Sequence, residues 1–266
     1  MEDAAMLSQT SFTPGLGDVT MESFSTKARG TVDSRPKASP RSDYRPRGAS
    51  LPPELSPANE LEFGGLALSH RRVKQGQALY RSGDACGSVY LVRSGFIKTV
   101  VLHPDGREQV ADFYMAGEML GLDGIASGRH ASDAMALTDS DVCVVPYERL
   151  ATISQEVQSV QRQLYRMLSQ EVVRKQSMML LLGSMRADER VATFLLNLSQ
   201  RFTARGYSAS DFILRMTRDE IGSLLGMKLE TVSRIFSKLQ KAGVIRIEGK
   251  HVRIVSIEGL RAVIGH

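Results

Sequence analysis

Between residues 71 and 147 apolar and polar residues alternate in short runs: VYLVRSG, FIKTVVL, EQVADFYMAG, SDAMALTD and SDVCVVPY. Alternation with period two puts one set of side chains on each face of a strand. Turn formers divide the runs at Gly83, Gly87, Gly95, Pro104-Asp105-Gly106, Gly117 and Gly128, and short strands punctuated in this way predict an antiparallel β-barrel or jelly roll. The period then changes. From about residue 147 or 152 to 182, Ile153, Val157, Val160, Leu164 and Met167 recur at steps of four and three. Leu168, Val172, Met179 and Leu182 extend this apolar face in a shifted register. So long a stripe on one helix suits a two-stranded coiled coil, although burial within one subunit would give the same pattern. Residues 187–205, ADERVATFLLNLSQRFTAR, predict one more amphipathic helix.

The most specific pattern lies at 217–250, TRDEIGSLLGMKLETVSRIFSKLQKAGVIRIEGK. Thr217 with Glu220 three residues later reads as a capping box. Ile221, Leu224 and Leu225 follow at helical spacing, and Gly226 ends the helix. A second helix from about residue 228 to 242 buries Leu229 or Val232, together with Ile235, Phe236 and Leu239. Its other face carries Glu230, Ser233, Arg234, Lys238 and Lys241. Residues 244–247 and 252–255 then alternate as two strands around Glu248-Gly249-Lys250. Two short helices about a glycine turn, followed by a hairpin, are the pattern of a winged helix-turn-helix. The competing pattern is a helical hairpin with a solvated charged face.

Charge sharpens this reading. From Arg215 onward there are ten Lys or Arg against five Asp or Glu, an excess equal to the +5 of the whole chain. A basic excess confined to the module that would meet phosphate is an electrostatic footprint of DNA binding. The 266 residues, 42% hydrophobic, allow one or two domains with real cores. Residues 1–58 are rich in Ser, Thr, Pro, Gly and Arg and poor in clustered apolar residues, which predicts a disordered tail. The acidic N-terminus is unlike a signal peptide, no apolar run reaches membrane-spanning length, and two cysteines exclude a disulfide scaffold. A cytoplasmic protein is predicted.

GEMLGLDGIASGRHASDAMALTDSDVCVVPYERL, the MLLLG and RVATFLLNLSQRF segments, and LGMKLETVSRIFSKLQKAGVIRIEGKHVRI together resemble the CRP/FNR family of bacterial transcription regulators, closest to its FNR branch. The resemblance runs from about Leu61 to His266. With the tail (1–58) left outside it, the resemblance implies an α+β fold: a cyclic-nucleotide-binding-like sensor domain (59–148), a dimerisation helix (149–183) and a winged helix-turn-helix (184–266). It also implies a homodimer that pairs through Val157, Val160, Leu164, Met167, Leu168, Val172 and Met179. RNA polymerase is the implied protein partner, and activation an implied role. Glu230, Ser233 and Arg234 match the FNR-type E-x-x-S-R pattern. Arg reads guanine O6 and N7 and Glu accepts from cytosine N4, so the implied site is an inverted repeat of TTGAT half-sites. Leu229 suits a thymine methyl. Lys228, Thr231, Lys238, Thr217 and Arg218 complete the candidate DNA-contacting set. Arg234 as a nonspecific phosphate contact is the alternative.

The sensor departs from its relatives. Iron–sulfur members hold a [4Fe–4S] cluster with clustered N-terminal thiolates and one cysteine in the sensor, but residues 1–85 contain no cysteine. Cys143 falls at the sensor ligand position and reads better as a small core residue. Cys86, in the turn GDACGS, is a candidate exposed thiol. In the segment LGLDGIASGRHASD, Asp123 stands near the ribose-binding Glu of cAMP-responsive members, and Ala131-Ser132 replaces their Arg-Ser. Neither the N-terminal type of [4Fe–4S] cluster nor cAMP is therefore expected. His70, His103, His130, His251 and His266 lack metal-ligand spacing and read as surface residues. With no nucleophile, phosphate-loop or metal motif, an enzyme is not predicted. The alternative to a DNA-binding regulator is a small-molecule or nucleotide-sensing module whose main activity is ligand binding.

Overall fold

A computed structural model describes residues 69–103 and 105–265, so the predicted tail and residues 59–68 lie outside the described residues. Eight strands form the sensor: β1 (Ser69–Val73), β2 (Ala78–Tyr80), β3 (Ser88–Ser94), β4 (Phe96–Leu102), β5 (Glu108–Met115), β6 (Met119–Leu120), β7 (Asp133–Ala136) and β8 (Ser140–Pro146). They make two antiparallel four-stranded sheets, ordered β1-β8-β3-β6 and β2-β7-β4-β5. Val73, Val92, Leu120 and Val142 of the first sheet share a core with Leu79, Ile97, Tyr114 and Ala134 of the second. The alternating runs thus bury one face each, and the sheets pack as an open jelly roll rather than closing into a barrel.

The single helix expected next is divided. Helix α1 (Tyr147–Glu156) and helix α2 (Gln158–Ser184) are separated by Val157, which is extended at φ −118° and ψ 103°. Val157 packs beside Leu150 and Ile153 against the first sheet, so tertiary packing overrides helix continuity there. The apolar register shift also has a structural meaning. Val160 (3% exposed) and Met167 (9%) are buried against Val89, Leu91 and Met119 of the protomer's own sensor, with Val157 and Leu164 packed beside them. Tyr165 (61%), Val172 (55%) and Met179 (74%) remain exposed on another side of α2. The predicted dimerisation stripe is therefore two stripes. Val160 and Met167 serve the protomer's interior, and Val157 and Leu164 are half-buried beside them.

Helix α3 (Ala187–Thr203) leads into the C-terminal module, which holds β9 (Asp211–Ile213), α4 (Arg218–Leu225), α5 (Leu229–Lys241), β10 (Ile245–Glu248), β11 (His251–Ile254) and α6 (Ile257–Ile264). Strand β9 joins the wing as a third strand, in the order β10-β11-β9. Val100, Val110, Phe113 and Met115 of the sensor lie in the same hydrophobic core as Phe194, Leu195, Leu224, Leu225 and Phe236 of this module. Among the described residues, no helix is long and apolar enough to cross a membrane.

Charge ties the same parts together beside this shared core. The Glu118 side chain, only 14% exposed, accepts both Nε (3.0 Å) and Nη2 (2.5 Å) of Arg201 on α3. It also accepts Arg205 Nη2 at 2.7 Å and the Met115 N–H at 3.0 Å, and Arg174 Nη1 of α2 stands 3.4 Å away. Burial alone would raise the Glu118 pKa, but the guanidiniums of Arg201, Arg205 and Arg174 outweigh it and hold the group down, from 4.5 to about 2. A depressed carboxylate stabilises the fold fully above its unfolded pKa, and that contribution is lost as pH falls from about 4.5 toward 2. Glu118→Gln leaves the guanidiniums facing one another and should cost about 3 kcal/mol or more at pH 7. Urea unfolding at pH 7 and at pH 3.5 should show this loss, with a shallower acid dependence in the variant. Equal stability of the two proteins at pH 7 would refute it.

Candidate nucleic-acid interface

Helix α4 begins as its sequence requires. Thr217 Oγ1 accepts the Glu220 N–H at 3.1 Å, and Glu220 Oε2 accepts the Thr217 N–H at 2.7 Å, so two helix-end donors are satisfied reciprocally. The Thr217 hydroxyl is thereby committed to the cap. Gly226, at φ 64°, closes the helix in the left-handed conformation. A second glycine, inside α4, was not singled out from sequence. A Cβ on Gly222 would stand 2.5 Å from the Met227 carbonyl oxygen, so the crossing of α4 and α5 depends on this residue's lack of a side chain.

Helix α5 buries Val232, Ile235, Phe236 and Leu239, whereas Leu229 is 41% exposed. The choice between Leu229 and Val232 as the buried position thus falls to Val232. Lys228, Leu229, Glu230, Arg234, Lys238 and Lys241 are exposed, with Thr231 and Ser233 half-buried among them. Arg234 Nη2 lies a long 3.4 Å from Thr231 Oγ1, and an open depression of about 500 Å³ is lined by Ser233, Arg234, Ser237, Lys238 and Lys241. Lys238 is partly engaged, since its Nζ pairs with Asp188 of α3 at 3.2 Å. Arg218 sits over Phe236, its guanidinium carbon 3.6 Å from the ring centroid. Its buried Nη1 has no hydrogen-bond partner among the described residues, and burial lowers its pKa. The wing adds exposed Arg246, Lys250 and Arg253, the last paired with Asp211 at 2.8 Å.

In the sensor, Asp123 is turned inward. Its Oδ2 accepts the Ala131 N–H (3.0 Å) and the Ser132 hydroxyl (2.7 Å), and its Oδ1 lies 3.3 Å from His130 Nδ1. Arg129 spends Nη1 on the Gly83 carbonyl at 2.7 Å. The acid is occupied by its own loop and the nearest guanidinium is directed at backbone, so these residues do not fit a cyclic nucleotide. His130, expected at the surface, is buried and stacked on Tyr80 with ring centroids 3.7 Å apart. The expectation of an exposed Cys86 is also corrected. It is half-buried, its Sγ lies 3.5 Å from the Gly121 carbonyl oxygen, and burial raises its pKa, which disfavours the reactive thiolate. Cys143 is buried in β8, 3.8 Å from His70 Nδ1. Among the described residues no three His, Cys, Asp or Glu side chains converge as metal ligands, and two cysteines do not supply the four thiolates of a [4Fe–4S] cluster.

A double-sheet sensor joined by a long helix to a winged helix with an exposed basic reading face defines a class of sensor-linked transcription regulators. Residues 189–263 match the Crp-like helix-turn-helix domain and residues 70–156 the cyclic nucleotide-binding domain. The chain is 44% identical to the transcriptional regulatory protein Btr of Bordetella pertussis, over 79% of this chain and 87% of that protein. It is 46% identical to the transcriptional activator Anr of Pseudomonas aeruginosa, over 81% and 88% respectively. Among solved structures, FixK2 from Bradyrhizobium japonicum superposes with a TM-score of 0.68 at 32% identity, covering 74% of this chain and 98% of that one. The chain belongs to the CRP/FNR family. It is a DNA-binding transcription regulator, not an enzyme.

Gly222→Ala should destabilise the protein by about 2 kcal/mol, because the new methyl meets backbone rather than a movable side chain. A urea midpoint unchanged from wild type would show that the crossing of α4 and α5 yields freely.

Proposed function

We propose that the protein binds, as a homodimer, an inverted repeat of TTGAT-like half-sites and regulates transcription there. The observation that carries this reading is the row on α5 where exposed Glu230 and Arg234, with half-buried Ser233, stand at i, i+4 and i+3 on one face above a core-facing Val232 and Phe236. Arg234 pairs with guanine, Glu230 with the cytosine across the base pair, and Leu229 meets a thymine methyl. Lys228, Thr231, Lys238 and Arg218 serve the phosphates. The Phe236 ring holds Arg218 at the start of α4.

Dimerisation is assigned to Tyr165, Leu168, Val172 and Met179, joined by Leu182. Their steps of three, four and seven form a heptad seam in which Tyr165, Val172 and Met179 are left exposed by the protomer's own packing, while Leu182 also touches the C-terminal core. RNA polymerase is the expected partner on the promoter, and acting on DNA places the protein in the cytoplasm. No cyclic nucleotide or N-terminal type of [4Fe–4S] cluster takes part in this reading. Iron and sulfide content after anaerobic purification tests that exclusion, and about four of each per chain or per dimer would overturn it. A second reading, ligand sensing as the main activity, is favoured by one feature. A cleft of about 830 Å³ lies between the β5–β6 turn, α2 and α3, with Gln163, Gln170, Asn197 and Gln200 on its polar wall. A thermal-shift ligand screen run beside a DNA-binding assay separates the two.

Arg234→Ala should weaken binding to the specific site by about 1–3 kcal/mol and relax the preference at the guanine. Equal loss on scrambled DNA would make Arg234 a phosphate contact instead. Val172→Glu with Met179→Glu should give a folded monomer by sedimentation, with weakened binding to the full repeat. A dimer surviving that double charge would place the interface elsewhere.

A further inference from the structure

Helix α4 is fastened to the sensor by polar contacts that no DNA-reading role requires. Lys98, on β4, reaches Glu220 Oε1 with its Nζ at 2.7 Å, and the two side chains are only 19% and 16% exposed. Glu220 is the same carboxylate that caps α4 through Thr217. Burial pushes its pKa up, but the Lys98 hydrogen bond and the Thr217 N–H more than offset that and hold it below the usual value. One helical turn further, Ser223 Oγ accepts the Val110 N–H of β5 at 2.8 Å.

That second contact uses a free sheet edge. Strand β5 ends the order β2-β7-β4-β5, and its pairing with β4 slips between Thr99↔Asp112 and Val100↔Val110, leaving Ala111 as an extra residue. A bulge of this kind turns a strand locally and re-aims its outer N–H groups. Val100 and Val110, at the bulge, enter the same core as Leu224 and Leu225 of α4. The reading face of α5 stays open all the while, with Glu230 and Arg234 exposed. The docking therefore fixes where the reading helix points without covering it.

We propose that Lys98 is a positioning residue for operator recognition: acting through Glu220, the sensor sets the placement of α4 and α5, and with it the separation of the two half-sites that the dimer accepts. A protein held only by the chain between α2 and α3 would tolerate a range of separations, since a loose tether adapts to spacing. A helix-turn-helix pinned to the sensor within each protomer would not. Half-site separation is a geometric property of a dimer's two reading helices. This inference rests on the reading of the protein as a dimer on an inverted repeat.

The test is a fluorescence-anisotropy series on inverted TTGAT repeats whose central spacer varies one base pair at a time, using the full chain. Wild type should show one preferred spacer, with affinity falling about tenfold two base pairs away, which is about 1.4 kcal/mol. Lys98→Met should flatten that profile to within about threefold, while base preference at the half-site is unchanged and the protein remains dimeric. Lys98→Arg should restore the profile, since a cation can still reach Glu220. Ser223→Ala, which removes the acceptor for the Val110 N–H, provides an independent variant and should flatten the profile in the same direction. Uniform loss of affinity at all spacers with the profile intact would reduce Lys98 to a structural role and overturn the proposal. A Lys98→Met profile like that of wild type would also overturn it. Wild type binding a lone half-site as tightly as the repeat would instead bring down the dimeric reading beneath it.

Discussion

Glu118 joins three parts of this chain that are distant in sequence. It sits in the turn between β5 and β6 and takes Arg174 from the long helix, Arg201 from α3 and Arg205 from the turn that follows α3. Around it, Asp112 of β5 pairs with Lys175 at 2.7 Å, and Arg174 lies over the Tyr114 ring, 4.9 Å from its centroid. A buried carboxylate is costly unless it is fully paired, and a bidentate guanidinium with a second arginine beside it meets that requirement. The arginines depend on it equally, since without Glu118 three guanidiniums would share a poorly hydrated site. The sensor, the helix and the DNA-binding module thus meet at this one anion, which adds to the shared hydrophobic core and the Lys98–Glu220 pair.

The long helix shows how one element can serve two partners. Its early apolar residues, Val160 and Met167, are spent against the protomer's own sheet. Its middle carries the charged residues Glu171, Arg174 and Lys175 that fasten it to β5 and to Glu118. What remains exposed, Val172 and Met179 with Tyr165 before them, forms a separate seam. A helix with apolar stripes on two sides is suited to burial on both, one inside the protomer and one against another chain.

Much of the architecture was legible because local chemistry is strong there. Alternating runs became strands, and Thr217, Glu220 and Gly226 formed the cap and turn that their spacing predicts. Features set by tertiary contact were not legible. Val157 breaks a helix that periodicity would continue, because its side chain is drawn into the sensor core. His130 is buried by stacking on Tyr80, a partner fifty residues away. The short β9 and the final α6 carry too few residues for a periodic signal, and β9 is recognisable only by its pairing with β11. The reading face of α5 was visible in sequence because amphipathicity marks it. The Glu118 network was not, since its members come from four elements and no local pattern links Glu118 to Arg201.

Native-state hydrogen exchange measures the union of sensor and DNA-binding module most directly, because it reports an opening free energy for each segment separately. At pH 7, amides of α4 and α5 should open together with those of β4 and β5, at a common free energy close to that of global unfolding. If α3, α4 and α5 exchanged through an opening several kcal/mol cheaper than that of the sensor sheets, the two modules would be independent bodies, and Glu118 would not be the anion that unites them.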